Sequence, residues 1–197
     1  MSDSYAIAAV TAVLRRLLGS GVGILSPFGS VPVTALPLDH ISTGANEPSQ
    51  LNLFMYHATP NQGWRNVAFP STSSTGESVT NPPLGLDLHY LLSAYGAEEM
   101  ATDALLGYGM RVLHDMPTLP RSFIRDTWSG VMLTPVEQAL ADAGLADQIE
   151  LIKICPETLN SEEISKLWTA FQAKYRPTAA YHVSVVLIES SKPARSP

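Results

Sequence analysis

An internal disulfide is closed to this chain, because its 197 residues include one cysteine, Cys155. Folding therefore does not depend on an oxidising compartment. The lone thiol sits in the apolar run IELIKIC, where a small buried hydrophobe is expected rather than a reactive nucleophile. Charge is sparse at 15% of residues, and 12 basic against 18 acidic side chains give a formal net charge of -6. A surface of that sign makes nucleic acid a poor partner. No apolar run approaches the ~20 residues needed to cross a bilayer, and no basic amphipathic helix points to a lipid surface. Direct membrane binding is therefore not expected. There is no glycine-rich phosphate loop followed by lysine, no dinucleotide fingerprint, no cysteine pair and no His-Glu-x-x-His, so neither cofactor nor metal is expected.

What the chain does have is apolar surface, 45% of its residues. That fraction implies an extensive core, or a core plus adhesive interfaces. A single domain over residues 1–189 is expected, followed by a flexible tail, SSKPARSP, over 190–197. The first segment, SYAIAAVTAVLRRLL, reads as an amphipathic helix rather than a signal peptide, because Arg15 and Arg16 interrupt the apolar run. Asp3 or Ser4 would cap it, Ile7, Val10, Leu14 and Leu17 would form its buried face, and Gly19 or Gly21 would end it.

Val31, Val33 and Ala35 alternate weakly, and Pro32 and Pro37 confine that strand to a sheet edge. LNLFMYHAT carries large apolar side chains on both faces, so a strand covered on both sides is expected there. The connection from Asn61 to Pro83 is long and polar, with Trp64 and Arg65 at its start as an aromatic and cationic anchor. LGLDLHYLLSAYG reads as a second long strand, and a helix from Ala97 to Met116 follows, with Glu98 and Glu99 in its first turn. RSFIRDTW reads as loop. Thr134-Pro135-Val136-Glu137 starts a short helix that Gly144 closes, Ile149 to Ile154 reads as a strand, and Asn160 with Glu163 caps a helix bearing Ile164, Leu167, Trp168 and Phe171. A last β-branched strand, YHVSVVLIE, follows Pro177. The order predicts an α+β fold, a single mixed or antiparallel sheet covered by helices.

Candidate chemistry is thin. Asp87 and His89 alternate onto one face of a strand, with Ser93 in line and His57 available from a neighbour, which suits an acid/base pair in a small hydrolase or lyase. Hydrogen bonds to a covering helix or to a neighbouring subunit account for the same pair with less specificity. His40, His114 and His182 stand alone, and Arg121, Arg125, Asp126 and Trp128 form a mixed cluster suited to a solvated surface or a subunit contact.

Taken together, SYAIAAVTAVLRRLL, the strand LNLFMYHATPNQGWRN with Tyr56, Thr59, Pro60, Asn61 and Asn66, and PLGLDLHYLLSAYG with the Ala/Leu helix reaching Val112, Leu113, His114 and Pro117 resemble a known family. It is the N-terminal domain family of tail terminator, or cap, proteins of extracellular contractile injection systems, phage-tail-like particles that include the antifeeding prophage and the Photorhabdus virulence cassettes. The resemblance covers roughly residues 4–117, and the later strand-helix-strand portion fits in outline.

It implies a phage tail-terminator-like fold and a non-enzymatic structural role. The implied assembly is a hexameric ring seated on the last layer of inner tube and sheath, where it stops their polymerisation. The partners would be further copies of the chain, the inner tube protein and the sheath protein, with assembly in the cytoplasm and release within a particle. Val31, Val33, Trp64, Arg65 and Asn66 are the expected tube and sheath contacts, and Asp87, His89, Arg121, Arg125 and Trp128 the expected subunit contacts. Beside that family the 197 residues read as short, without a sizeable C-terminal extension, so roles that need one, control of particle length among them, are not expected from the resemblance.

Overall fold

The computed structural model describes residues 3–25, 31–44, 47–65, 83–130 and 132–189. The expected tail over 190–197, Asn66 and most of the 61–83 connection lie outside the described residues. The fold is α+β. One five-stranded mixed sheet has the order β1-β2-β3-β5-β4, formed by β1 Val33–Thr34, β2 Gln50–Pro60, β3 Leu84–Tyr95, β4 Lys153–Glu157 and β5 Thr178–Ile188. Helices α1 Ala6–Leu25, α2 Ala101–Asp115, α3 Arg121–Asp126, α4 Pro135–Asp142 and α5 Ser161–Ala170 accompany it. β1 runs parallel to β2 and the other pairings are antiparallel.

The period-2 pattern of β3 explains why the sheet is covered on both sides. Leu88, Tyr90 and Leu92 point into the main core with α1 and α2, whereas Leu91 points to the opposite face and packs with Leu38, Ala180 and Trp168 of α5. Each fully buried leucine of this kind stabilises the fold by about 1.5–3 kcal/mol. β1 lies at the edge, as its prolines require.

Five local expectations are corrected. First, α1 does not stop at Gly19 or Gly21 but continues to Leu25. A Cβ on Gly21 would come within 2.5 Å of Val112 Cγ2, so this glycine serves the crossing of α1 and α2 rather than a helix end. Second, α2 begins at Ala101 instead of Ala97, because Met100 adopts a left-handed backbone (φ 62°) and leaves Glu98 and Glu99 on the turn before the helix. Third, RSFIRDTW is not loop: its first six residues form α3, with Ile124 buried.

The fourth correction is the Ile149–Ile154 strand, whose ladder starts only at Lys153. Gln148 takes the place of ladder bonds upstream, donating to the carbonyls of Glu150 (2.8 Å) and Val185 (2.9 Å) and accepting from the Leu187 amide (3.2 Å). Fifth, Cys155 is exposed rather than buried, since β4 turns Ile154 into the core and its neighbour out.

The two predicted helix starts hold. Both capping boxes form, at Thr134 with Glu137 and at Asn160 with Glu163. α5 ends at Ala170, and Gln172 just beyond takes a left-handed conformation (φ 51°), well before Pro177. Among the described residues no helix is long and apolar enough to cross a membrane.

Candidate functional site

α5 covers only part of its face of the sheet, anchored by the edge-to-face contact of Phe171 on Phe54 at 5.0 Å. Beyond it the strands present a polar rung. The register places His57 of β2 opposite His89 of β3, His89 opposite His182 of β5, and His182 opposite Cys155 of β4. The His57 and His89 rings are 5.7 Å apart, and those of His89 and His182 are 5.2 Å apart. Register shifts between Met55 and His57 and between Leu86 and Leu88 flank the rung, the kind of irregularity that re-aims side chains.

Two carboxylates balance the imidazoles. Glu157 Oε2 lies 2.9 Å from His89 Nδ1 and 3.2 Å from the Tyr56 hydroxyl. Because a carboxylate only accepts, Nδ1 carries the proton, and in the neutral ring Nε2 accepts from the Thr59 hydroxyl at 3.1 Å. Asp87 Oδ1 accepts from Asn61 Nδ2 at 2.8 Å and lies 3.4 Å from His182 Nε2. Burial pushes the Tyr56 phenol up, and the neighbouring Glu157 charge adds to it. Among the described residues no group of three histidine, cysteine, aspartate or glutamate side chains is arranged to hold a metal ion.

On the other side of the sheet, α1, α4 and the edge strand β1 enclose a groove of about 720 Å³. Its apolar lining includes Val33, Trp128, Leu133 and Val136, and Arg15 and Arg16 stand along it. Arg15 Nε donates to the Val33 carbonyl at 3.2 Å, which occupies one acceptor of the sheet edge. At the opposite edge, β4 carries Pro156, is bridged by Thr118, and donates the Ile154 amide to the Pro117 carbonyl at 2.7 Å.

Residues 9–197 match the family described as the Pvc16 N-terminal domain. The chain belongs to this family. The fold of this Pvc16 N-terminal domain is shared with the sheath/tube terminator of the PVC extracellular contractile injection system in its extended state, at TM-score 0.60 and 13% identity over 96% of this chain and 58% of that one. It is likewise shared with the tube-terminating cap of the anti-feeding prophage, at TM-score 0.60 and 11% identity over 95% of this chain and 56% of the other. The chain thus spans somewhat over half the length of either structure. No curated protein matches it.

Within this Pvc16 N-terminal domain the candidate residues are distributed as follows. Asp87 and His89 share a face as anticipated, but each is engaged with a separate partner of opposite character. His182, read as isolated, joins them. Glu157 and Thr59 were not anticipated as partners, because only the register of β2 and β4 brings them beside His89. Ser93 donates to the Tyr95 hydroxyl at 3.4 Å rather than to the rung.

Arg121 donates to the carbonyls of Gln148 and Ile149, and Arg125 pairs with Asp147 at 2.7 Å. Trp128 packs half-buried against the core and lines the groove. Val31 is a core residue, Val33 lines the groove, Trp64 rests on Gly85 and Arg65 is exposed.

Proposed function

We propose that this chain is a structural cap of a contractile injection system, without catalytic activity. In this reading it forms a ring, hexameric by the resemblance, that seats on the distal end of the inner tube and sheath and stops their polymerisation. The observation that carries the reading is the family match across residues 9–197, joined to a fold shared with two terminating proteins.

The sheet edges support it physically. A terminator must offer no open strand to the next layer, and both edges here are blunted: one by a two-residue strand beside Pro32 whose Val33 carbonyl is taken by Arg15, the other by Pro156 and the Thr118 bridge. Val33, Trp64, Arg65 and Asn66 are the proposed tube and sheath contacts, with main-chain atoms around Val31 contributing. Asp87, His89, Arg121, Arg125 and Trp128 are the proposed subunit contacts. A ring uses two different patches per subunit, which gives surplus apolar surface a closed destination. The single domain over 1–189 and assembly in the cytoplasm belong to the same proposal.

Deleting the gene and viewing particles by electron microscopy tests it. Overlong or unstable tube and sheath are expected, and sheathed particles of normal yield and length would contradict it.

A second reading rests on one observation, the chain Thr59–His89–Glu157, which has the order of a hydroxyl nucleophile, a base and an orienting carboxylate. Turnover of an activated ester by the intact chain, abolished by both Thr59→Ala and His89→Ala with the ring retained, would favour it. No turnover above the His89→Ala background removes it.

A further inference from the structure

Charges short of internal partners gather in two places. In the groove between α1 and α4, Arg16 has no hydrogen bond or ion pair among the described residues, and Arg15 donates to the Val33 carbonyl and is attracted to the Glu137 charge. The one carboxylate lining the groove, Glu137, is committed to the cap of α4, bonding the Thr134 amide and hydroxyl at 2.8 Å each. Beside the arginines, Val136 is 67% exposed.

The second place is the turn before α2. Met100 is 72% exposed on a left-handed backbone that a side chain of its size rarely adopts. Glu98 and Glu99 precede it and Asp103 follows, all exposed and without side-chain partners among the described residues. An exposed apolar side chain held on a strained turn, with carboxylates on either side of it in the sequence, is costly to the isolated subunit, and such strain collects where it serves a contact.

We infer that these two places meet within the subunit contact, to which Trp128 of the groove wall also belongs: Met100 of one copy enters the groove of the next, with Glu98 and Glu99 facing Arg15 and Arg16. The inference rests on the ring reading and adds the surfaces. The groove is basic and apolar, the knob is acidic and apolar, and they are different patches of one chain. A contact between unlike patches is heterologous, the kind from which a ring is built when the rotation between copies closes. Opposite charges set its register and suppress a groove-to-groove pairing, which would bring four guanidiniums together.

The test uses the full 197-residue chain and native mass measurement. Two charge-reversed variants are made, Arg15→Glu with Arg16→Glu, and Glu98→Arg with Glu99→Arg, and circular dichroism checks that each folds. Each alone is expected to raise the concentration for half-assembly by about tenfold or more. Mixed in equal amounts they are expected to assemble again, because every junction in an alternating ring of even number pairs unlike charges. Rings that persist in either variant would overturn the contact and leave the ring reading standing, as would two failed variants that do not rescue one another. A wild-type chain that stays monomeric at every concentration, with and without tube and sheath, would overturn both.

Met100→Gly adds an independent readout. Glycine suits the left-handed backbone, so the subunit's melting temperature is expected to hold or rise while assembly weakens. Unchanged assembly would count against the knob.

Discussion

The imidazole of His89 on β3 meets the carboxylate of Glu157 on β4 at 2.9 Å, reaching across the intervening strand β5. The pair ties together two strands that share no ladder, and both side chains are largely sheltered, at 17% and 26% exposure. Removing either partner leaves the other half-buried and short of a bond. His89→Ala and Glu157→Ala are each expected to destabilise the fold by about 1–2 kcal/mol, with a coupling of about 1 kcal/mol in a double-mutant cycle read from urea midpoints. Strict additivity would show that the pair does not act in solution.

Four tyrosines give the fold an alkaline limit. Burial pushes the phenols of Tyr56, Tyr90, Tyr95 and Tyr181 above their ordinary value, and at Tyr90 it outweighs the opposing hydrogen bond with Thr11. The folded chain therefore keeps protons that the unfolded chain releases at about pH 10. Stability from these groups is complete below that pH and declines as pH rises through and beyond it. A thermal midpoint that falls steeply above about pH 10, and less steeply in Tyr56→Phe, is expected. A flat profile would contradict the burial.

Glu47 and Arg176 form the other informative ion pair. Glu47 is nearly inaccessible and also accepts from the Gly96 amide at 2.9 Å, so the pair pins the start of β5 to the end of β3. Glu47→Ala is expected to cost about 3–5 kcal/mol, because a sheltered guanidinium loses its counter-charge. Asp115→Ala removes the exposed Arg111 pair on α2 and is expected to change stability by no more than about 0.5 kcal/mol. Denaturant titration of the two variants reads the contrast directly.

Two glycines of one helix are expected to answer the same substitution with opposite signs. An alanine Cβ at Gly109 would lie 3.0 Å from Leu92 Cδ2 and 3.2 Å from Leu51 Cδ1, whereas Gly107 has nothing within 4 Å. Gly107→Ala is expected to stabilise by up to about 1 kcal/mol. Gly109→Ala is expected to destabilise by about 1–3 kcal/mol through overpacking against the central strands. Equal effects in thermal melts would argue against that packing.

Much of the fold was legible where local rules act alone. The capping boxes at Thr134 and Asn160, the double-faced apolar pattern of LNLFMYHAT and the prolines of the edge strand each identify an element from a few adjacent residues. The errors lie where a distant contact decides. Gly21 looks like a helix stop until Val112 of α2 is seen against it. Ile149 to Ile154 has strand composition, yet the side chain of Gln148 takes the hydrogen bonds that a ladder would have made.

The site divided along the same line. Asp87 and His89 were found through their two-residue spacing, which is a local property. Glu157, Thr59 and His182 were not, because the register that unites three strands is written in no single segment. The groove was legible only as scattered pieces, Arg15 and Arg16 in one helix, Val33 in an edge strand and Trp128 after a third element.

The most direct test of a terminating role is growth itself: purified inner tube and sheath proteins are allowed to polymerise with increasing amounts of the 197-residue chain, and filament lengths are measured by electron microscopy. Arrest at a small ratio of chain to tube protein, with the chain located at filament ends, is the expected result. Lengths that stay unchanged at saturating chain, or label spread along the filament sides, would contradict it.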